Sequence, residues 1–297
     1  NTGEVWYNAT ANTIKIEAKT TTGAWATGGA LNTARTNLAG AGIKTAAVAF
    51  GGTAPPGAKD ETELYNGTSW TEVNDMVAAN SSMGSAGTST SALSFGGPGS
   101  SSRTNESWNG TNWSEQGDLN TGKQRPGGAG ASNTNALAFG GYVPTGPEST
   151  ATTEKWNGTN WTEVADLNTA RFNLAGAGKT NTAALAFGGI GAVTESWNGT
   201  SWTEVADLNT GRGDLSGLGT YVSALAISGA PARDIVELWN GTSWSEQADL
   251  STARQNTGTA GADNTSGLVF GGSPPESAAT EEWTGAGSPQ VRTITTD

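Results

Sequence analysis

Short apolar runs recur along the chain, each closed by a pair of small residues. They read AVAFGG (47–52), ALSFGG (92–97), ALAFGG (136–141), ALAFGG (184–189), ALAISG (224–229) and GLVFGG (267–272). After each run comes a polar loop. Then a short segment ends in an aromatic residue (Tyr65, Trp108, Trp156, Trp197, Trp239, Trp283), and in five units Asn-Gly-Thr-x-Trp follows it. Each unit is preceded by a tryptophan-anchored segment: Trp25, Trp70, Trp113, Trp161, Trp202 and Trp244. Successive Gly-Gly positions are 45, 44, 48, 40 and 43 residues apart, counting Ser228-Gly229 as a degraded pair. Self-similarity at this period marks propellers, solenoids and arrays.

Within one unit, 168–208, the pieces NTARFNLAGAG, TAALAFGG, TESWNG and TSWTEVADL are short and bounded by Gly, Asn or Asp. They predict four antiparallel strands with tight connections. Asn-Gly predicts a type I′ turn with two positive φ values, which places Trp197 and Trp202 on adjacent strands. Gly-rich first strands such as LAGAG suit a crowded axis that larger side chains would block. Six four-stranded units bury themselves best as a closed ring. The defect after Trp283 predicts how the ring shuts. There Thr284-Gly285-Ala286-Gly287 lacks the second Trp, while Trp25 stands alone ahead of the first unit. The strand carrying Trp25 is therefore expected to complete the blade whose first three strands are C-terminal. This gives an all-β, six-bladed propeller over residues 23–287. It is flanked by an N-terminal hairpin or attachment segment (1–22) and a C-terminal strand or tail (288–297), which would pair with each other or with a neighbouring chain.

Composition narrows the chemistry. The 34% hydrophobic content is low and the 44 glycines are many, but 12 regularly spaced tryptophans supply ordered aromatic cores. A net charge of −12 argues against nucleic acid, which calls for a basic surface. No stretch approaches a membrane span of about 18 apolar residues, so no membrane insertion is expected. With no Cys and no His, disulfides, thiolates and imidazole metal ligands are excluded, and no metal or other cofactor is expected. No signal-peptide pattern is visible and the chain does not begin with Met, so it reads as a mature product or a piece of something longer.

Charges repeat too. Third strands carry Glu63, Glu106, Glu154, Glu195, Glu237 and Glu281, and fourth strands end in Asp75, Asp118, Asp166, Asp207 and Asp249. First strands open with Arg35, Lys123, Arg171, Arg212 and Arg254, with Asn80 at the sixth position. As a ring at a channel mouth these cations would bind an anionic sugar or carboxylate. The stronger reading pairs each with an acid of its own or the adjacent blade, because a residue present in every unit serves the unit. The same sixfold copying argues against a glycosidase carboxylate pair, and no enzyme is expected. Arg212-Gly213-Asp214 spells an integrin-binding tripeptide but falls in a repeat slot within a first strand, where chance variation explains it. The Asn-Gly-Thr turns, plus Asn8-Ala9-Thr10, are formally N-glycosylation acceptors, but turn chemistry already explains their regularity.

Variation concentrates in the loops after each Gly-Gly, of 5 to 12 residues, which should emerge on the face carrying the links between blades. Loops on a rigid scaffold are where recognition usually resides. The binding candidates are Lys59, Asp60, Arg103, Tyr142, Arg233 and Asp234.

The Gly-Gly strands, third-strand aromatics and fourth-strand tryptophans over roughly residues 24–283 resemble the kelch repeat, whose third-strand aromatic is usually Tyr and here is mostly Trp. That resemblance implies a β-propeller. The Asn-Gly-Thr-Ser-Trp-Thr-Glu-Val wording and the opening Gly-Glu-Val-Trp-Tyr-Asn-Ala-Thr are similar to kelch-type proteins of marine, particularly cyanobacterial, bacteriophages and to tail-fibre chains. It implies an extracellular, virion-surface protein that binds a host-surface glycan or protein beside other virion proteins, with a trimer as the first guess for a homo-oligomer. A cellular or secreted kelch adaptor is the alternative, and a carbohydrate-active propeller enzyme the third.

Overall fold

The computed structural model describes residues 4–8, 13–19, 22–143, 148–286 and 289–295. Six four-stranded antiparallel sheets form the blades of a propeller. Their inner strands run down the axis: Ala39–Ile43, Gly84–Thr88, Gly127–Ser132, Leu174–Thr180, Ser216–Thr220 and Gly258–Asp263. Each neighbours the next and the last neighbours the first, so the ring is closed. The first blade adds Ala46–Phe50, Thr62–Tyr65 and Trp70–Glu72, and the next four repeat this order. In the sixth blade, Ser266–Phe270 and Thr280–Thr284 are followed by Ala24–Thr27 from the N-terminal side, with Trp283 opposite Trp25. The remaining strands, Glu4–Asn8, Thr13–Lys19 and Pro289–Thr295, form a separate three-stranded sheet in that order, so the two terminal pieces pair with each other. Residues 1–3, 9–12, 20–21, 287–288 and 296–297 of those pieces, and 144–147 of the third blade's loop, lie outside the described residues.

Glycine lets the inner strands approach. A Cβ on Gly128 would lie 2.3 Å from the Ser85 carbonyl oxygen of the preceding blade, and one on Gly176 would lie 2.3 Å from that of Gly128. Further out, tryptophans join the blades. Third-strand rings such as Trp108, Trp156 and Trp283 are fully buried. Outer-strand tryptophans reach back one blade, where Trp113, Trp202 and Trp244 pack on Phe50, Phe139 and Phe187 at centroid separations of 4.7–4.9 Å. Their indole N–H groups donate to the hydroxyls of Thr62, Thr153 and Thr194 on that same blade. At Trp161 the corresponding residue is Asn105, and the indole Nε1 and the Asn105 Oδ1 both lack a partner.

The Asn-Gly turns differ from expectation. Gly67 has φ +94°, but Asn66 is not in the left-handed region. Asn66 N–H donates to the Ser69 carbonyl, and its side-chain Oδ1 accepts from Thr68 and Ser69 N–H, both at 2.9 Å. The connection is thus a four-residue loop stapled by a carboxamide, and the two-residue type I′ turn is replaced because the side chain satisfies two amides locally. The register between tryptophans survives, with Trp197 opposite Trp202.

Candidate functional site

The repeated cations lie inside the blades, in the links that precede the inner strands and not within those strands. Arg35, Lys123, Arg171, Arg212 and Arg254 are all buried. Each pairs with the third-strand Glu of its own blade: Arg35–Glu63 at 2.7 Å, Lys123–Glu154 at 3.3 Å, Arg171–Glu195 at 3.1 Å, then Arg212–Glu237 and Arg254–Glu281. The arginines also donate to the carbonyl that ends the second strand, as Arg35 Nη1 does to Gly51 at 2.8 Å. The Glu is a hub. Its other oxygen accepts from the backbone and side-chain nitrogens of a link asparagine, as Glu63 does from Asn32 at 2.7 and 2.8 Å. Asp75, Asp166 and Asp207 each accept the N–H of the first residue of a third strand. These carboxylates and cations are occupied in holding blades together, and none of the five cations lines the channel or its mouth.

The second blade breaks the pattern. Asn80 stands in the cation slot and donates to the Gly96 carbonyl, leaving buried Glu106 with only the N–H groups of Val77 and Ala78. Burial raises the Glu106 carboxyl above its ordinary value, and the two backbone donors pull the other way. A carboxyl so raised contributes stability that is complete below the ordinary glutamate range and is lost as pH rises through the elevated folded value. Glu106→Gln is therefore expected to gain stability relative to the parent between pH 4 and pH 7. Urea unfolding of both across that window measures it, and the opposite trend would contradict the assignment.

The six loop candidates are spread around the rim. Lys59 pairs with Glu61 at 3.5 Å, and the carbonyl of Asp60 accepts from Met76 N–H. Arg103, exposed at the end of a short 3-10 turn, donates from Nε to the Leu119 carbonyl. The Tyr142 ring meets Phe172 edge-on at 5.9 Å. Arg233 is tied to Arg254 by backbone pairing, and the Asp234 carbonyl accepts from Leu250 N–H. None of the six lines the channel or its mouth, so the structure does not bring them into one cavity.

What it does bring together lies on the same face at the axis. Two residues after each cation slot stand Asn37, Ser82, Arg125, Asn173, Asp214 and Asn256, all with φ between +52° and +57°. Five of them also donate a backbone N–H to the carbonyl of the equivalent residue one blade earlier, such as Ser82 to Asn37 at 2.9 Å and Arg125 to Ser82 at 2.7 Å. The left-handed conformation turns these six residues into a collar around the channel mouth. Asn and Asp tolerate it best, which accounts for four of the six. A layer of Leu38, Met83, Pro126, Leu174 and Leu215 lies beneath.

Arg125 spans the collar. Its Nη1 reaches the Asn173 Oδ1 at 3.2 Å and pairs with Asp214, while its Nη2 reaches the Asn37 Oδ1 at 3.3 Å. The Arg125 Nε is buried without a partner. Burial raises the Asp214 carboxyl above the usual range, against the opposing pull of Arg125. Asp214 is thus a collar residue in the link ahead of Ser216–Thr220, so the Arg-Gly-Asp tripeptide lies outside the first strand in which it was expected. Sequence reasoning missed the collar. Its signal was the cation-x-polar-apolar register, with Asn or Asp in four of six units. At the opposite end of the channel Lys179 is the one charged side chain among the described lining residues, and burial lowers its ammonium pKa against the pull of Asp263. Among the described residues, no group of three or more His, Cys, Asp or Glu is placed to hold a metal ion, and no helix is long and apolar enough to cross a membrane.

No protein-family model matches the chain, and no curated protein matches it either. The six-bladed propeller therefore stands on the strand pairing itself.

Proposed function

We propose that the chain is a non-enzymatic recognition propeller, displayed on a virion surface, that attaches to a host-surface glycan or protein through the face carrying the inter-blade links. The observation that carries this reading is the polar collar at the axis of that face, where polar side chains from all six blades converge. A rigid scaffold that gathers polar groups from separate repeats is suited to recognition. The non-enzymatic reading is supported by where the acids are spent: five of the six repeated glutamates are buried in ion pairs. Virion display rests on the resemblance of the repeats and opening segment to phage kelch-type chains, and fold alone does not select it over a cellular or secreted interaction module. Both readings use the same face.

The test is a sedimentation assay of the purified protein with envelope fractions from marine cyanobacteria. Saturable binding, weakened by substitutions on the link face and not by Thr111→Ala on the opposite face, is the expected result. No binding to any envelope fraction would overturn host attachment. Capture of a defined cellular protein with no envelope binding would favour the interaction-module reading.

A further inference from the structure

The chemistry of the collar says which ligand it takes. Arg125 is the only cation there, and Asp214 already neutralises it. An anionic group approaching the guanidinium would meet the Asp214 carboxylate and a chain of net charge −12. What remains free is a mixed set of donors and acceptors. Asn37 and Asn173 use their side-chain oxygens on Arg125, which leaves both amide nitrogens as unused donors. The Asn256 carboxamide and the Ser82 hydroxyl, which also line the mouth, make no hydrogen bond among the described residues. Asp214 engages Arg125 through one oxygen, so the other can accept. Side-chain exposure of 30% for Arg125 and 14% for Asp214 leaves the pair reachable but largely screened from water.

A mixed set of donors and acceptors in a fixed ring, above an apolar layer, matches an uncharged polyhydroxylated ring, whose hydroxyls donate and accept while its C–H faces are apolar. Resting on the recognition reading above, we propose that the collar binds the uncharged terminal sugar of a glycan. One hydroxyl donates to Asp214, and neighbouring hydroxyls accept from Arg125 and from the amides of Asn37, Asn173 and Asn256. Anionic sugars such as uronates and sialic acids are excluded by Asp214. The scaffold pre-organises the set, because five of the six collar residues donate a backbone N–H to the carbonyl of the collar residue one blade earlier, and all six hold the same left-handed backbone.

The experiment is a glycan array spanning uncharged and acidic termini, probed with the parent protein and with Asp214→Asn, Asn256→Ala and Thr111→Ala. Hits are followed by calorimetric titration of the matching methyl glycoside against galacturonate and N-acetylneuraminate. Uncharged termini should bind, and Asp214→Asn and Asn256→Ala should each weaken them about tenfold or more, with Thr111→Ala unchanged. Thermal unfolding checks that the variants fold. Asp214→Asn suits that purpose because Asn is already tolerated in three collar positions. The proposal falls if no uncharged glycan binds, if acidic termini bind better, or if binding survives both collar substitutions. Envelope sedimentation separates this from the broader reading: attachment that persists in both collar variants sinks the sugar site and leaves link-face recognition to the loops, whereas absence of attachment in the parent sinks recognition itself.

Discussion

Replacing Arg171 with Met is expected to destabilise the protein by about 3–5 kcal/mol, because it leaves Glu195 as an uncompensated buried charge. Both side chains are fully buried, with Nη2 and Oε1 at 3.1 Å. The guanidinium also serves the carbonyls of Gly188, Ala186 and Val193, all of which lose that donor. Burial lowers the Arg171 pKa against the pull of Glu195, yet an arginine remains charged in proteins. The pair is thus held by geometry more than by favourable solvation. Adding Glu195→Gln to Arg171→Met should recover part of the loss. The buried charge is then gone, while a side-chain oxygen still accepts from Asn168 N–H, which Glu195 meets at 2.7 Å. Urea unfolding of the single and double variants measures both effects. A single-variant cost below about 1 kcal/mol would show that the pair is not structurally required.

Deleting residues up to 27 is expected to open the ring. Trp25 packs on Trp283 with centroids 5.1 Å apart and donates its indole N–H to the Ala248 carbonyl of the preceding blade. Without that strand, Thr280–Thr284 becomes an exposed edge and the fully buried Trp283 ring meets water. Loss of at least about 3 kcal/mol follows from the tryptophan burial alone, a fall in Tm of roughly 6–12 °C for a domain of this size. Deleting only residues 1–21 keeps Ala24–Thr27 and should leave the propeller's Tm nearly unchanged. Equal Tm for the two deletions would contradict the pairing. The junction that Trp25 serves is also the least regular. Ile227 replaces the phenylalanine that receives the other outer tryptophans, and Val236 the threonine that receives Trp70, Trp113, Trp202 and Trp244, so Trp25 makes neither that ring contact nor that hydroxyl bond.

Much of the architecture could be read along the chain because repetition makes each unit evidence for the others. Five Gly-Gly pairs and the Ser228-Gly229 pair matched six blades, and a missing Trp after Trp283 matched the solitary Trp25. The turn chemistry was legible only in part. Asn-Gly signals a reversal, but whether asparagine supplies a positive φ or a side-chain acceptor depends on loop length, and here Asn66 supplies the acceptor. The recurring Arg and Glu were visible as partners in composition. That Glu63 also gathers two nitrogens from Asn32 was not, since that contact joins a link to a strand some thirty residues away.

The loops after Gly-Gly, chosen for their variation, supply candidate residues tied to separate neighbours, several of them only through the backbone. The collar, drawn from residues that vary less conspicuously, is where side chains meet. Sequence alone determined the period, the strand order within a blade and the chemistry available, because these depend on local patterning and on which residue types are absent. Tertiary structure alone decided which residues share a site. Six positions about 40 to 50 residues apart become neighbours only when the ring closes, and their left-handed backbones turn them toward a common axis that no single repeat contains.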